Sequence, residues 1–143
     1  MEENKRPWGE YEVLLDEPYT RVKEIRVNPK ARLSLQSHDH REEHWAIVQG
    51  IGIVVVDNII KKVHPGDYIF IPKKSIHRIE NIDDKTVLKF IEVQLGDSFD
   101  ENDIIRYQDD YNRVGPSKEG GVGFILSDEV DPRKLSDPSL EGI

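Results

Sequence analysis

Apolar and polar residues alternate at every second position in short runs along this chain, a period that predicts strands rather than helices. Residues 11–15 and 19–27 form the first two runs, and in the second Tyr19, Arg21, Lys23, Ile25 and Val27 share one phase. Its charged positions, Arg21 and Lys23, either line a pocket or form a solvated edge, and the edge is the reading preferred. Residues 32–40 continue the pattern, with Ser34, Gln36, His38 and His40 on the face opposite Leu33, Leu35 and Ser37. An apolar run over 45–48 ends at Gly50, and two β-branched runs within 51–63 flank Asp57-Asn58, a pair that tolerates the positive backbone angles of a two-residue hairpin turn. Gly66 precedes another alternating strand that Pro72 breaks, His77 opens the next, and in residues 86–95 Leu88, Phe90, Glu92 and Gln94 share a face. Many short β segments with close turns predict an all-β antiparallel sandwich or barrel. Only residues 100–110 read otherwise, as a short acidic helix or turn with Asp100 as N-cap. The division expected is one domain over 1–113 and an irregular C-terminal extension over 114–143, with an apolar patch at 122–126.

Within that β pattern the stretch SHDHREEHWAIVQG, residues 37–50, carries candidate chemistry. His38 and His40 lie two apart, and in an extended strand such residues project from one face, a chelating geometry. Glu43 follows where a turn brings the chain back, and two histidines with a carboxylate make a set that binds a divalent metal while leaving positions open for substrate. The second stretch, GDYIFIPKKSIHRIEN, residues 66–81, offers His77 as a fourth ligand.

Composition narrows the choices. A chain of 143 residues is large enough for one core, and its formal charge of −8 argues against nucleic acid or an anionic membrane as a general partner. With no cysteine, a thiolate metal site and a cysteine nucleophile are excluded. The first residues lack the apolar core of a signal peptide, and the longest apolar run, 51–56, is too short for a bilayer, so a cytoplasmic protein is the expectation.

The two stretches resemble the paired motifs of the cupins, G(X)5HXH(X)3-4E(X)6G and G(X)5PXG(X)2H(X)3N. Gly66, Pro72, His77 and Asn81 fall in register in the second, with Lys74 where the family has glycine; His38, His40, Glu43 and Gly50 match the first, with Arg32 in place of its opening glycine and a shorter gap before Glu43. Counting back from Gly50 selects Glu43 and puts Trp45 and Ile47 on the inward face, whereas counting forward from His40 selects His44, which stays as a second choice of ligand. The resemblance implies a double-stranded β-helix, a jelly-roll barrel. Longer stretches, among them RPWG at 6–9, LSLQ at 33–36, HR at 77–78 and IEVQ at 91–94, resemble the type II phosphomannose isomerases. In many members this domain follows a nucleotidyltransferase, which this sequence does not contain, so only the isomerase half is implied.

That resemblance implies interconversion of mannose 6-phosphate and fructose 6-phosphate on a divalent metal (zinc, manganese, iron, cobalt or nickel) held by His38, His40, Glu43 and His77. Glu92, His44 or a metal-bound hydroxide is the candidate base. Arg41, placed at the cavity mouth or on the opposite face, is the first choice for the phosphate, with Arg78, Arg106, Arg113, Lys73 and Lys74 as further choices. The competing readings are a non-catalytic sugar-binding cupin, an iron oxygenase and a sugar-nucleotide epimerase. Small cupins pair through edge strands, so a homodimer is also implied.

Overall fold

A computed structural model describes residues 4–111; Arg113 and the extension expected from residue 114, with its apolar patch, lie outside them. Eleven strands form two antiparallel sheets, with no α-helix among the described residues. One sheet has the order β1 (Lys5–Arg6), β2 (Gly9–Glu17), β3 (Thr20–Val27), β10 (Leu88–Gly96), β5 (Arg41–Gln49), β8 (Tyr68–Ile71). The other runs β11 (Ile105–Gln108), β4 (Leu35–Ser37), β9 (His77–Asn81), β6 (Gly52–Val56), β7 (Ile59–Val63). From β4 onward the chain crosses between the sheets, pausing only for the β6–β7 hairpin, so the two inner faces enclose one interior. Asp57 and Asn58 have φ of 46° and 71°, the left-handed pair that such a hairpin requires.

The register sorts that interior into an apolar end and a polar end. Along β10 the inward residues run Leu88, Phe90, Glu92, Gln94, opposite Val27, Ile25, Lys23 and Arg21 of β3. Phe90, Glu92 and Gln94 oppose Ile47, Trp45 and Glu43 of β5. Antiparallel pairing therefore stacks apolar on apolar and polar on polar across three strands, with Trp45 at the boundary. The apolar end includes Ile25, Val27, Ile47, Val54, Ile79, Leu88 and Phe90, packed as one cluster. Burial of such side chains, each contributing about 1.5–3 kcal/mol, offsets the cost of keeping charged groups at the other end.

Two expectations change here. Lys23 does not sit on an edge: β3 lies between β2 and β10, and Lys23 is buried with Ile25 and Val27 on the inner face. Of the helix or turn expected within residues 100–110, the helix does not form and the turn does, at the start of the segment. The Asp100 carboxylate accepts the Asn102 N–H at 2.9 Å, closing a local turn, and strand β11 follows.

Lys74, where the motif has glycine, has φ of 70°, and its N–H donates to the His38 carbonyl at 2.7 Å. Its side chain points to solvent, away from the interior expected for a phosphate ligand. A left-handed backbone disfavours side chains and most of all β-branched ones. Lys74→Gly is therefore expected to be at least as stable as the parent, and Lys74→Val to lose about 1–2 kcal/mol, read from urea midpoints.

Candidate metal centre

His38, Glu43 and His77 converge at the polar end, their ligand atoms all within 4.8 Å of one another and all three side chains buried. Glu43 Oε2 lies 3.4 Å from His38 Nε2, and Glu43 Oε1 lies 3.8 Å from His77 Nε2. Ligands on a single ion with bonds of about 2.1 Å stand roughly 3–3.5 Å apart, close to this spacing.

The histidine rings are oriented for coordination. His38 Nδ1 lies 2.7 Å from the Asp103 carbonyl and His77 Nδ1 lies 2.9 Å from the Ser75 carbonyl. A carbonyl only accepts, so each Nδ1 carries the proton and each Nε2 turns a bare lone pair toward Glu43. Burial pushes the His38 imidazole down to about 4, with Glu43 opposing and Arg41 adding to the fall; burial lowers His77 as well. Both rings are thus neutral at pH 7, as ligands must be. Burial alone would raise the Glu43 carboxyl, but the Arg41 guanidinium beside it overrides this and holds it ionised, well below the usual carboxylate range.

His40 is not part of the cluster. Strand β4 ends at Ser37, and residues 38–40 bend because the Asp103 carboxylate takes the N–H groups of Asp39 and His40, each at 3.0 Å. Alternation is lost through the bend, so His40 faces solvent with its Nδ1 3.5 Å from Asp97 Oδ1, and Arg41 turns inward instead. The close approach of β10 at this bend requires Gly96, where a Cβ would stand 2.2 Å from the His40 carbonyl oxygen.

Arg41 is buried inside the cluster rather than at the mouth or on the opposite face. Its Nε donates to Glu43 Oε2 at 2.9 Å and its Nη2 approaches His38 Nε2 at 3.3 Å. The guanidinium and a metal ion therefore compete for the same histidine lone pair. The donor set itself, two neutral imidazoles and one ionised carboxylate, fits a divalent ion.

Glu92 completes the polar end. Its Oε1 accepts the Trp45 indole N–H at 3.2 Å, its Oε2 accepts from Gln94 at 2.8 Å, and the same indole reaches Glu43 Oε1 at 3.1 Å. Burial, then the Glu43 charge and a hydrogen bond between the two carboxyl groups, push Glu92 up to about 8. Two buried carboxyl groups thus divide their roles, one ionised and one protonated.

Of the remaining candidates, His44 lies on the outer face of its sheet, as adjacent strand residues must when Glu43 faces in. There its Nε2 meets Glu42 at 2.6 Å and its ring stacks on Phe70. It reaches neither the ion position nor the cavity. Arg78 is buried against the edge of the second sheet, donating to the Leu33 carbonyl at 2.9 Å and to Gln108 Oε1 at 2.6 Å. Lys73 is exposed in the turn beside Lys74. Arg106 does line the cavity, as do Arg6, Lys23 and Gln36. The signal for Lys23 was its phase with Ile25 and Val27, and that for Arg41 its phase with Glu43, Trp45 and Ile47.

Similarity to known proteins bears on the fold and the family. A predicted oxalate decarboxylase from Thermotoga maritima matches with a TM-score of 0.57 at 23% identity over 61% of this chain and 79% of that one. The Schizosaccharomyces pombe Cnp3 cupin domain matches at 0.58 and 17% identity, covering 62% of this chain and 64% of that one. These likenesses show the cupin fold. In sequence, an Escherichia coli mannose-1-phosphate guanylyltransferase is 40% identical over 109 residues, 76% of this chain. The alginate biosynthesis protein AlgA of Pseudomonas putida is 41% identical over 117 residues, 82% of this chain. The chain spans only 23% and 24% of those two relatives. Residues 1–109 match the family described as mannose-6-phosphate isomerase C-terminal, and the chain belongs to that family.

Proposed function

We propose that this domain is a metal-dependent aldose-ketose isomerase, of the type II phosphomannose isomerase kind, interconverting mannose 6-phosphate and fructose 6-phosphate. The observation that carries this reading is the placement of a protonatable carboxyl, Glu92, beside an ordered metal-ligand set in one cavity. A divalent ion held by His38, Glu43 and His77 would supply Lewis acidity for charge growing on the sugar oxygens. In its ionised form, which the charge of an ion held beside it would favour, Glu92 takes the proton from C2 of the open-chain aldose as the enediol forms and returns it to C1, with a matching proton shift from O2 to O1. A group titrating near the working pH suits both halves of that transfer. Trp45 and Gln94 fix the Glu92 carboxyl by donating to both its oxygens, and Arg41 offers N–H groups toward the developing negative charge.

A second reading, a sugar-binding cupin without turnover, draws support from the contact of Arg41 with the His38 lone pair and from a cavity of only about 100 Å³. A coupled assay with mannose 6-phosphate separates the two, run on chelator-treated protein and after addition of zinc, manganese, iron(II), cobalt or nickel. Turnover that returns with at least one ion is expected. Binding of the sugar phosphate with no turnover under any ion would replace the first reading by the second.

A further inference from the structure

A chain of formal charge −8 turns four cationic side chains toward this one cavity: Arg6, Lys23, Arg41 and Arg106. Arg41 is paired with Glu43 at 2.9 Å and Lys23 with Glu101 at 3.1 Å. Arg6 and Arg106 are engaged as well, Arg6 with the Lys5 carbonyl at 2.8 Å, and what sets them apart is their position. They stand on β1 and β11, the terminal strands of the two opposite sheets, and reach the cavity from its two sides. Both are half-buried, whereas the His38, Glu43 and His77 side chains are fully buried, so the arginines mark the open end and the ligand set the closed one.

The segment that delivers Arg6 is closely fitted. β1 is only two residues long and pairs Arg6 with Gly9 across the Pro7-Trp8 turn. Trp8 is buried in the core, and its carbonyl accepts the Asn28 N–H at 2.9 Å. Gly9 lies so flat on β3 that a Cβ there would meet the Arg26 carbonyl oxygen at 2.0 Å. The Arg6 guanidinium is then aimed by Tyr11, whose hydroxyl accepts from Nη2 at 3.0 Å and whose ring lies 4.8 Å beneath it. A tryptophan anchor, a glycine contact and a tyrosine guide are thus spent on a two-residue strand whose inward product is one arginine.

We infer that Arg6 and Arg106 form a two-sided clamp for the phosphoryl group of the substrate, holding the far end of the sugar while its reacting carbons meet the ligand set. This rests on the sugar-phosphate reading above and adds the residue pair that makes phosphate the recognised group. Guanidinium groups suit it because they donate in pairs to phosphoryl oxygens.

Inorganic phosphate and mannose 6-phosphate, titrated by calorimetry into the parent, Arg6→Met, Arg106→Met and Arg6→Lys, test the clamp. Each methionine variant is expected to weaken both ligands by about tenfold or more, and Arg6→Lys to recover part of the loss. In the coupled assay KM is expected to rise more than kcat falls, a split that a merely structural role would not give. Thermal melts check folding, and should Arg6→Met not fold, Arg6→Lys and Arg106→Met carry the test. Phosphate that fails to bind the parent, or that binds the folded variants as tightly as the parent, overturns the clamp. Phosphate binding lost in the variants without turnover in the parent sustains the clamp and removes the isomerase; turnover with unchanged KM does the reverse.

Discussion

Replacing Glu43 by alanine is expected to abolish tight binding of a divalent ion and to cost about 3–5 kcal/mol of stability. The carboxylate is 2% exposed and is the hub of the polar end: it receives Arg41 Nε at 2.9 Å and the Trp45 indole at 3.1 Å. Alanine leaves the buried Arg41 guanidinium without its nearest counter-charge, and an uncompensated buried cation is costly. Glu92 provides a partial remedy, because the Glu43 charge that raises it would be gone and it could ionise against Arg41. The loss should therefore fall toward the lower end of that range. Glu43→Gln keeps the shape and should lose less stability while still losing the ion. Urea unfolding with parallel calorimetric titration of zinc or manganese reads both effects. A stability loss under about 1 kcal/mol would mean that the Arg41–Glu43 pair is not the buried ion pair described.

Glu92→Gln is expected to lower turnover by about a hundredfold to ten-thousandfold, the range for loss of a general acid-base group, with little change in metal affinity. The same substitution has an opposite signature in stability. The Glu92 carboxyl, raised from 4.5 to about 8 in the fold, binds its proton more tightly folded than unfolded. Its contribution is complete below pH 4.5 and is lost as pH rises through 8. Glutamine mimics the protonated form and does not titrate. Chelator-treated Glu92→Gln should thus gain on the parent steadily across that interval, seen as a widening gap between their urea midpoints. His38 acts in the reverse sense: lowered from 6.5 to about 4, it withdraws stability as pH falls between those values. Taking the difference between variant and parent removes that histidine contribution, which both share. A gap that does not widen would mean Glu92 is ionised in the folded protein.

What could be read from the sequence follows from how local each feature is. The β6–β7 hairpin depends on Asp57 and Asn58, neighbours whose own backbone preferences suffice. The inward phase of β5, with Glu43, Trp45 and Ile47 together, needs only strand alternation and a glycine to count from. His38, Glu43 and His77 were accessible because each sits at a motif position within an ordinary strand or at its end. His40 was not, because the strand stops at Ser37 for a reason 63 residues away, the Asp103 carboxylate. The choice between pocket and edge for Lys23 is not local, because whether β3 is an edge is set by β10, a pairing that alternation does not encode. Residues 100–110 leave helix and turn open for a different reason: the Asp100 side chain that caps helices also closes turns, and the apolar pattern that follows is too short to choose.

The hold of Asp103 on the ligand bend bears on how far the domain can be trimmed. The sheet containing β5 and β10 is complete at Gly96, and a shortened version ending there would retain most of the apolar packing. It would lose the carbonyl that keeps the His38 ring in its tautomer and the carboxylate that bends the chain so that His40 faces outward. An engineer grafting this pocket onto another barrel must therefore transplant the returning strand together with the histidines, since the coordinating geometry is completed by a segment that donates no ligand of its own.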